Sequence, residues 1–150
     1  MKTNDNSQLE IVKRIMASQF LAALASIEQN HPYSNLVAFA ETDDLQAIVF
    51  VTSRYTRKFG NIMANENVSL LIDNRINQIS DFSKAVALTA IGKAGEALEY
   101  ERKDLLSIYL AKQPHLKNFL NSPNSALIVV NISEYIIAGF DTAPQHITMK

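Results

Sequence analysis

Cysteine is absent from the 150 residues, and this absence excludes several kinds of protein at once. Without thiols the chain cannot form a disulfide framework, a thiolate zinc site or a cysteine nucleophile. No apolar stretch approaches the roughly 20 residues that a membrane-spanning helix needs, and no early segment has the pattern of a signal peptide. A formal net charge of −1 gives no overall indication of nucleic-acid or membrane binding, so any basic site must be local.

The common motifs of catalytic and nucleotide sites are also missing. The chain has no GxGxxG, no Walker loop and no nucleophile elbow. Its three histidines, His31, His115 and His146, are too far apart to match a metal-ligand interval such as i, i+4. We therefore expect no metal site, and the sequence identifies no catalytic residue.

The composition is that of an ordinary globular protein, with 47% hydrophobic and 19% charged residues. The length suits one domain with a substantial core. We therefore expect a single domain over residues 1–150, with a disordered end at residues 1–7, in a cytoplasmic protein.

Hydrophobic periodicity and turn residues predict a chain rich in strands. A first helix should end near Ser18, and Pro114 should divide a later helical region, residues 99–121, into two segments. The glycines at 92 and 95 predict a bulge or bend in a long strand. Strands are predicted at residues 20–27, 35–41, 46–52, 68–72 and 85–98, with one or two more in 126–140, and a turn is predicted at 30–34. We therefore predict an α+β, mainly β fold: a small barrel with peripheral helices.

The stretch AIVFVTSRYTRKFGNIMANENVSLLI, residues 47–72, is the most informative part of the chain. A buried strand leads into a turn rich in hydroxyls and cations, then into a short helix with Ser53 as its expected N-cap. A helix start attracts anions, and hydroxyl and guanidinium groups bind phosphate. The candidate side chains are Thr52, Ser53, Arg54, Thr56, Arg57 and Lys58. The residues alone leave the alternative open that this is a solvated basic helix with an ordinary serine cap.

A series of short motifs in order resembles the FMN-binding split barrels of the pyridoxamine 5′-phosphate oxidase-like family. The motifs are HPYSNLVAFAE at 31–41, Val51-Thr52, Thr56-Arg57-Lys58, Asn61-Ile62, Asn65, VSLL at 68–71 and IGKA at 91–94. Some of them also look like the haem-utilisation branch of that family. The resemblance covers residues 20–140 and implies an FMN-binding split barrel.

The resemblance also implies a binding site and a partner. Arg57 and Lys58 would bind the FMN phosphate, and Thr52, Ser53 and Thr56 would assist, with Val51 beside them in the matched motif. The segment Asn35, Leu36 and Val37 would lie along the isoalloxazine and ribityl chain, largely through backbone groups. Members of the family are homodimers with FMN at the interface, so the second chain would complete the site.

The chain departs from the family pattern at two places, and both concern the reaction rather than the binding of the cofactor. The C-terminal residues 139–150 lack the Arg and His arrangement that grips pyridoxamine phosphate, and Ala87 stands where the oxidases use a glutamine near the flavin. We therefore expect an FMN-dependent oxidoreductase whose substrate and electron donor are unknown. The alternatives are a non-catalytic flavin- or haem-binding module with a storage, sensing or stress role, and a split-barrel dimer without cofactor that acts in protein interactions.

Overall fold

The computed structural model describes residues 2–150, and its main feature is one antiparallel sheet of seven strands. The strands are β1 (Leu21–Glu28), β2 (His31–Glu41), β3 (Ala47–Ser53), β4 (Asn67–Asp73), β5 (Ala87–Glu96), β6 (Ser125–Ala138) and β7 (Gln145–Thr148). The helices are α1 (Lys2–Ser18), α2 (Arg57–Ala64), α3 (Asp81–Lys84), α4 (Glu99–Lys112) and α5 (Lys117–Leu120), with a 3-10 turn at Pro114–Leu116.

The sheet closes into a barrel because β3, at one edge of the sheet, also pairs with β6. The strand order is β3-β2-β1-β4-β5-β6-β7, and the first half of β6 pairs with β3 along its whole length. Strands β1 to β6 therefore form a closed six-stranded barrel, while β7 extends the sheet beside the second half of β6. The predicted α+β split barrel with peripheral helices is confirmed.

The core lies inside the barrel and follows the two-residue alternation of the strands. Alternate apolar side chains along the strands are buried inside the barrel, and the apolar face of α1 packs against the same cluster. Members of this core include Val12, Ile15, Met16, Leu24, Phe39, Phe50, Leu70, Leu88 and Tyr135.

A second, smaller core lies outside the barrel, where α4 covers β3 and β6. Leu105 and Tyr109 of α4 pack there against Val49, Leu127 and Val129. The end of α4 is tied down by the buried side chain of Gln113, whose Nε2 donates to the carbonyls of Phe20 at 2.9 Å and Phe39 at 3.0 Å. This helix thereby braces β3, the strand that leads to the candidate site.

Gly92 permits the bend in β5 that the glycine pattern predicts. The register between β5 and β6 shifts between Ile91 and Gly92. A Cβ atom at Gly92 would lie 2.3 Å from the backbone oxygen of Asn131, so the two strands approach too closely for any side chain. Nothing lies within 4 Å of a Cβ at Gly95, so the bulge depends on Gly92 alone.

Several predicted boundaries agree with the structure and others shift. The first helix ends at Ser18 and the later helical region breaks at Pro114, as predicted. The helix α1 already begins at Lys2, over residues that we expected to precede it, and Met1 lies outside the described residues. The predicted turn at 30–34 is wrong: the turn is Gln29-Asn30, with φ of 49° and 73°, and β2 begins directly after it at His31. Strand β7 was not predicted.

Candidate functional site

The hydroxyl side chains of the candidate site form one hydrogen-bonded turn between β3 and α2. The Thr52 and Thr56 Oγ1 atoms lie 2.8 Å apart, and the Thr56 hydroxyl also bonds the Ser53 carbonyl at 2.8 Å. Thr56 is the N-cap of α2, because its side chain accepts the N–H of Phe59. The expected cap at Ser53 is wrong; its hydroxyl instead accepts the N–H of Tyr55 at 3.3 Å. The fold therefore brings Thr52, Ser53 and Thr56 together at the start of a helix.

Helix α2 begins with backbone donors directed out of its end. Its first i→i−4 bond runs from the N–H of Gly60 to the carbonyl of Thr56. The N–H groups of Arg57 and Lys58 precede this bond, so they belong to the unpaired donors found at every helix start. Such donors, together with the positive end of the helix dipole, favour an anion.

The three cations of this region point in different directions. Arg54 forms a bidentate ion pair with Glu96 at the end of β5 and lies over the Phe59 ring. The hydrogen bond from Arg54 holds the pKa of the Glu96 carboxyl below its ordinary value. Arg57 turns the opposite way, and its Nε donates to Glu28 Oε2 at 2.7 Å. Two of the three cations are thus already paired with carboxylates.

Lys58 is the cation that remains available. Within residues 2–150 it has no ion pair and no hydrogen bond from its ammonium group, although its side chain is partly buried. Burial lowers the pKa of this ammonium group below its ordinary value of 10.5. An unpaired, partly desolvated cation beside free helix donors gains free energy when an anion binds.

Strand β2 has an open edge next to this turn. It pairs with β1 from His31 to Ala38, but it pairs with β3 only from Phe39 to Glu41. The final residues of β3 pair with β6 alone. In an antiparallel ladder the N–H and C=O groups of alternate residues point to opposite edges of the strand. The groups of Asn35 and Val37 point to β1, so those of Leu36 point to the edge of β2 that does not pair with β3. The barrel is split at this point.

The side chains of the predicted β2 residues point to two faces. Leu36 is on the outer face and is 68% exposed, whereas Val37 is buried in the barrel core. Asn35 shares the inner face with Val37, and its Oδ1 is buried without a hydrogen-bond partner among the described residues. Val51 packs under α4 in the outer core. Val37 and Val51 can therefore contact a ligand only through their backbone, while Asn35 retains an unused acceptor.

The polar loop at residues 74–80, between β4 and α3, lies at the opposite end of β4 from α2. Helix α2 lies before the first residue of β4, and the loop follows the last residue of β4. The seven residues of this strand separate the end of the helix from the loop by roughly 20 Å. The loop is held by Asp81, whose carboxylate accepts the N–H groups of Ile76 and Gln78. It borders a cavity of about 990 Å³. Within one chain, this loop does not cover the start of α2.

Neither a metal centre nor a membrane segment is found in the part of the chain that the structure describes. No three His, Asp or Glu side chains there come together as metal ligands. No helix among those residues is long and apolar enough to cross a bilayer.

Comparison with known families identifies the family of the chain. The family described as pyridoxamine 5′-phosphate oxidase matches residues 9–138, most of the chain. The chain belongs to this family. No curated protein matches it. Within the family pattern, Ala87 lies at the start of β5 and lines the 990 Å³ cavity rather than the turn before α2.

Solved structures share the fold at low sequence identity. A haem-binding protein from Mycobacterium smegmatis has a TM-score of 0.80 at 16% identity, over 89% of this chain and 55% of that chain. General Stress Protein 26 from Bacillus anthracis has a TM-score of 0.68 at 19% identity, over 93% and 97% of the two chains. An FAD-binding protein from Mesorhizobium loti has a TM-score of 0.68 at 17% identity, over 87% and 90%. The chain therefore spans about half the length of the mycobacterial protein.

Three residues of the site were not found by sequence reasoning. Glu28 and Tyr33 flank Arg57, and Glu96 holds Arg54. Each lies far from its cation in the chain: Glu28 is 29 positions from Arg57, and Glu96 is 42 positions from Arg54. The one available signal concerns Glu28. It lies at the end of a strand, just before a turn, and this position indicates one end of the barrel.

Proposed function

We propose that the protein binds FMN, with the phosphate at the start of α2 and the ring along the open edge of β2, and acts as a flavin-dependent oxidoreductase. The observation that carries the proposal is Lys58, a partly buried cation without a partner among the described residues, beside the unpaired helix donors. Such a combination is suited to a phosphate group.

The phosphate end of the site would use four kinds of donor. Lys58 supplies an uncommitted charge, and the N–H groups of Arg57 and Lys58 supply backbone donors. The Thr56 hydroxyl donates to the Ser53 carbonyl and therefore accepts from Thr52, so each hydroxyl would exchange its present acceptor for a phosphate oxygen. Arg57 donates to Glu28 through Nε and Nη2, and its guanidinium would bind the phosphate after it leaves this carboxylate.

The ring end of the site would use backbone groups and one amide. The edge of β2 that does not pair with β3 offers the Leu36 N–H as a main-chain donor, while the Leu36 carbonyl accepts Asn35 Nδ2 at 3.4 Å and keeps a second lone pair. The buried Asn35 Oδ1 lacks a partner among the described residues, and a buried acceptor of this kind costs free energy until a donor reaches it. Both features fit the polar edge of a flavin ring.

The reaction would depend on the cofactor more than on the side chains. When bound, the flavin supplies hydride or electron transfer. The protein would hold the phosphate, orient the ring and limit the access of water. The polar side chains near the turn are the hydroxyls, the cations, the carboxylates Glu28 and Glu96 that pair with two of those cations, and Asn35. In this proposal their role is to bind and orient the cofactor. The substrate is a small molecule whose class the site does not define.

A homodimer with FMN at its interface is part of this proposal. Leu36, Ala23 and Leu71 lie opposite one another on three adjacent strands, and Leu36 and Leu71 are 68% and 40% exposed. A flat apolar row of this kind is suited to a second sheet. The molar mass in solution, measured by light scattering with and without FMN, tests this part; a monomer that still binds FMN would contradict it.

The absorption spectrum of the purified protein is the first test. We expect the visible band of an oxidised flavin, or its appearance in the protein fraction after incubation with FMN and removal of excess ligand. A protein that stays colourless with FMN would overturn the proposal. Oxidation of NAD(P)H by the flavin-loaded protein would then distinguish an enzyme from a non-catalytic flavin carrier.

Haem is the second candidate ligand, because a fold relative of this chain is a haem-binding protein. A haem site would need an axial ligand for the iron, such as a histidine, tyrosine or methionine side chain. The same spectrum separates the two proposals: a Soret band after addition of haemin, with no uptake of FMN, would favour haem.

A further inference from the structure

One carboxylate faces the proposed phosphate site, and the family resemblance does not account for it. Glu28 is the last residue of β1, and the two-residue turn Gln29-Asn30 follows it with both φ values positive. This turn sets the position of Glu28 beside the start of α2. The Arg57 guanidinium donates to one oxygen of Glu28, Oε2, through both Nε and Nη2.

Arg57 is held on a second side by an aromatic ring. Its Cζ atom lies 4.5 Å from the centroid of Tyr33, on the strand that pairs with β1. Glu28 and Tyr33 thus fix the guanidinium plane between a carboxylate and a ring. Glu28 accepts the same kind of donor pair that a phosphate oxygen would use.

The neighbouring cation of the proposed phosphate site lacks this arrangement. Lys58 follows it directly in the chain and has no carboxylate partner among residues 2–150. Both members of the Glu28–Arg57 pair are about half exposed, at 46% and 56%, so the pair is weak enough to be opened by a ligand.

We propose that Glu28 is an internal competitor that holds Arg57 and sets the affinity and charge specificity of the phosphate site. This inference rests on the proposed binding of FMN. A phosphate at the start of α2 displaces the Glu28 carboxylate from Arg57 and takes its place. Ligands without a phosphate leave the pair closed and gain nothing from Arg57. The bound phosphate also feels the repulsion of the nearby carboxylate, which lowers its affinity.

The decisive variant is Glu28→Gln, which keeps the shape of the side chain and removes its charge. We expect it to bind FMN about three- to thirtyfold more tightly than the wild type at low salt, with an effect that shrinks as salt is added. Its affinity for riboflavin, which lacks the phosphate, should be unchanged. In the Arg57→Ala background, Glu28→Gln should have a much smaller effect, because the pair no longer exists.

The matched control is Glu66→Gln. Glu66 is a second exposed carboxylate near the same end of the barrel, and it pairs with Lys93 at 2.9 Å. The substitution changes the net charge by the same amount without touching Arg57. We expect its FMN affinity to equal that of the wild type; an equal gain in both variants would mean that net charge alone acts, and would overturn the proposal.

Fluorescence titrations of FMN and riboflavin into these variants separate the two proposals. If the wild type binds FMN and Glu28→Gln binds it with equal or lower affinity, the competitor role of Glu28 is wrong while the FMN site stands. If neither the wild type nor Glu28→Gln binds FMN, the proposed function fails and the role of Glu28 fails with it. A gain for FMN but not for riboflavin supports both.

Discussion

Removal of both predicted phosphate cations should abolish most of the affinity for FMN. A hydrogen bond to a charged group contributes about 1.5–3 kcal/mol. The double substitution Arg57→Ala and Lys58→Ala should therefore cost about 3–5 kcal/mol, which corresponds to a loss of roughly 150- to 5,000-fold in affinity.

The two cations should not contribute equally. Lys58 has no partner to give up among the described residues, and the desolvation that lowers its pKa is relieved by a bound anion, so Lys58→Ala should account for about 2–3 kcal/mol. Arg57 must first leave Glu28, so its net contribution should be about 1–2 kcal/mol. Without ligand, Lys58→Ala should be as stable as the wild type, because it removes a partly buried charge that is not paired.

Titration of FMN by quenching of its fluorescence measures these losses, with riboflavin as the ligand control. Riboflavin lacks the phosphate, so its affinity should not change in any of these variants. Lys93→Ala removes a cation that is paired with Glu66 away from the turn, and it should bind FMN like the wild type. If Lys58→Ala bound FMN as tightly as the wild type, the phosphate would not lie at the start of α2.

Two further predictions concern the barrel that carries the site. Gly92→Ala should lower the free energy of unfolding by about 3 kcal/mol, because its Cβ would meet the backbone oxygen of Asn131 at 2.3 Å, whereas Gly95→Ala should change it by less than about 0.5 kcal/mol; equal urea midpoints for the two variants would contradict the close approach at the bulge. Burial raises the pKa of Tyr109 from 10.0 to about 12, so the folded state retains a proton that the unfolded chain loses. The loss in the free energy of unfolding that this pKa shift causes is absent below pH 10 and complete above about pH 12. Between pH 10 and about 12, the free energy of unfolding falls because of Tyr109 by no more than about 1.4 kcal/mol per pH unit. Urea titrations across this range should therefore show a shallower fall in stability for Tyr109→Phe, and an unchanged slope would show that Tyr109 ionises normally.

The strands that build the barrel could be predicted because burial imposes a regular pattern on them. Most have alternating or continuous apolar residues and end at polar turns, and the glycine in β5 marks the bulge. Strand β7 has no such pattern, since Ile147 is its only buried residue. Its pairing is supplied by the second half of β6, so nothing in its own four residues distinguishes it from a loop.

Pro32 shows how tertiary context overrides a local rule. A proline after His31 favours a turn in the sequence, but the structure places it in β2 opposite Ile27. Proline lacks an N–H and is tolerated where a strand edge has no partner. Pro32 lies between two residues whose peptide groups bond to β1, so its own backbone nitrogen points to the unpaired edge of β2, as the peptide groups of Leu36 do. The residue that led us to predict a turn is therefore tolerated in β2 because this edge of the strand has no partner where the barrel is split.

The same reasoning explains why the sequence could place three cations near one helix start but could not show which of them are paired. Arg54, Arg57 and Lys58 are equivalent as residue types at a helix start. What distinguishes them is the carboxylates that distant strands bring near: β5 brings Glu96 to Arg54 and β1 brings Glu28 to Arg57. No strand delivers a carboxylate to Lys58 among the described residues, and this omission leaves it free to bind. We therefore expect the strength of the proposed site to depend on where the barrel places its acids, which is a property of strand order and register rather than of the basic segment itself.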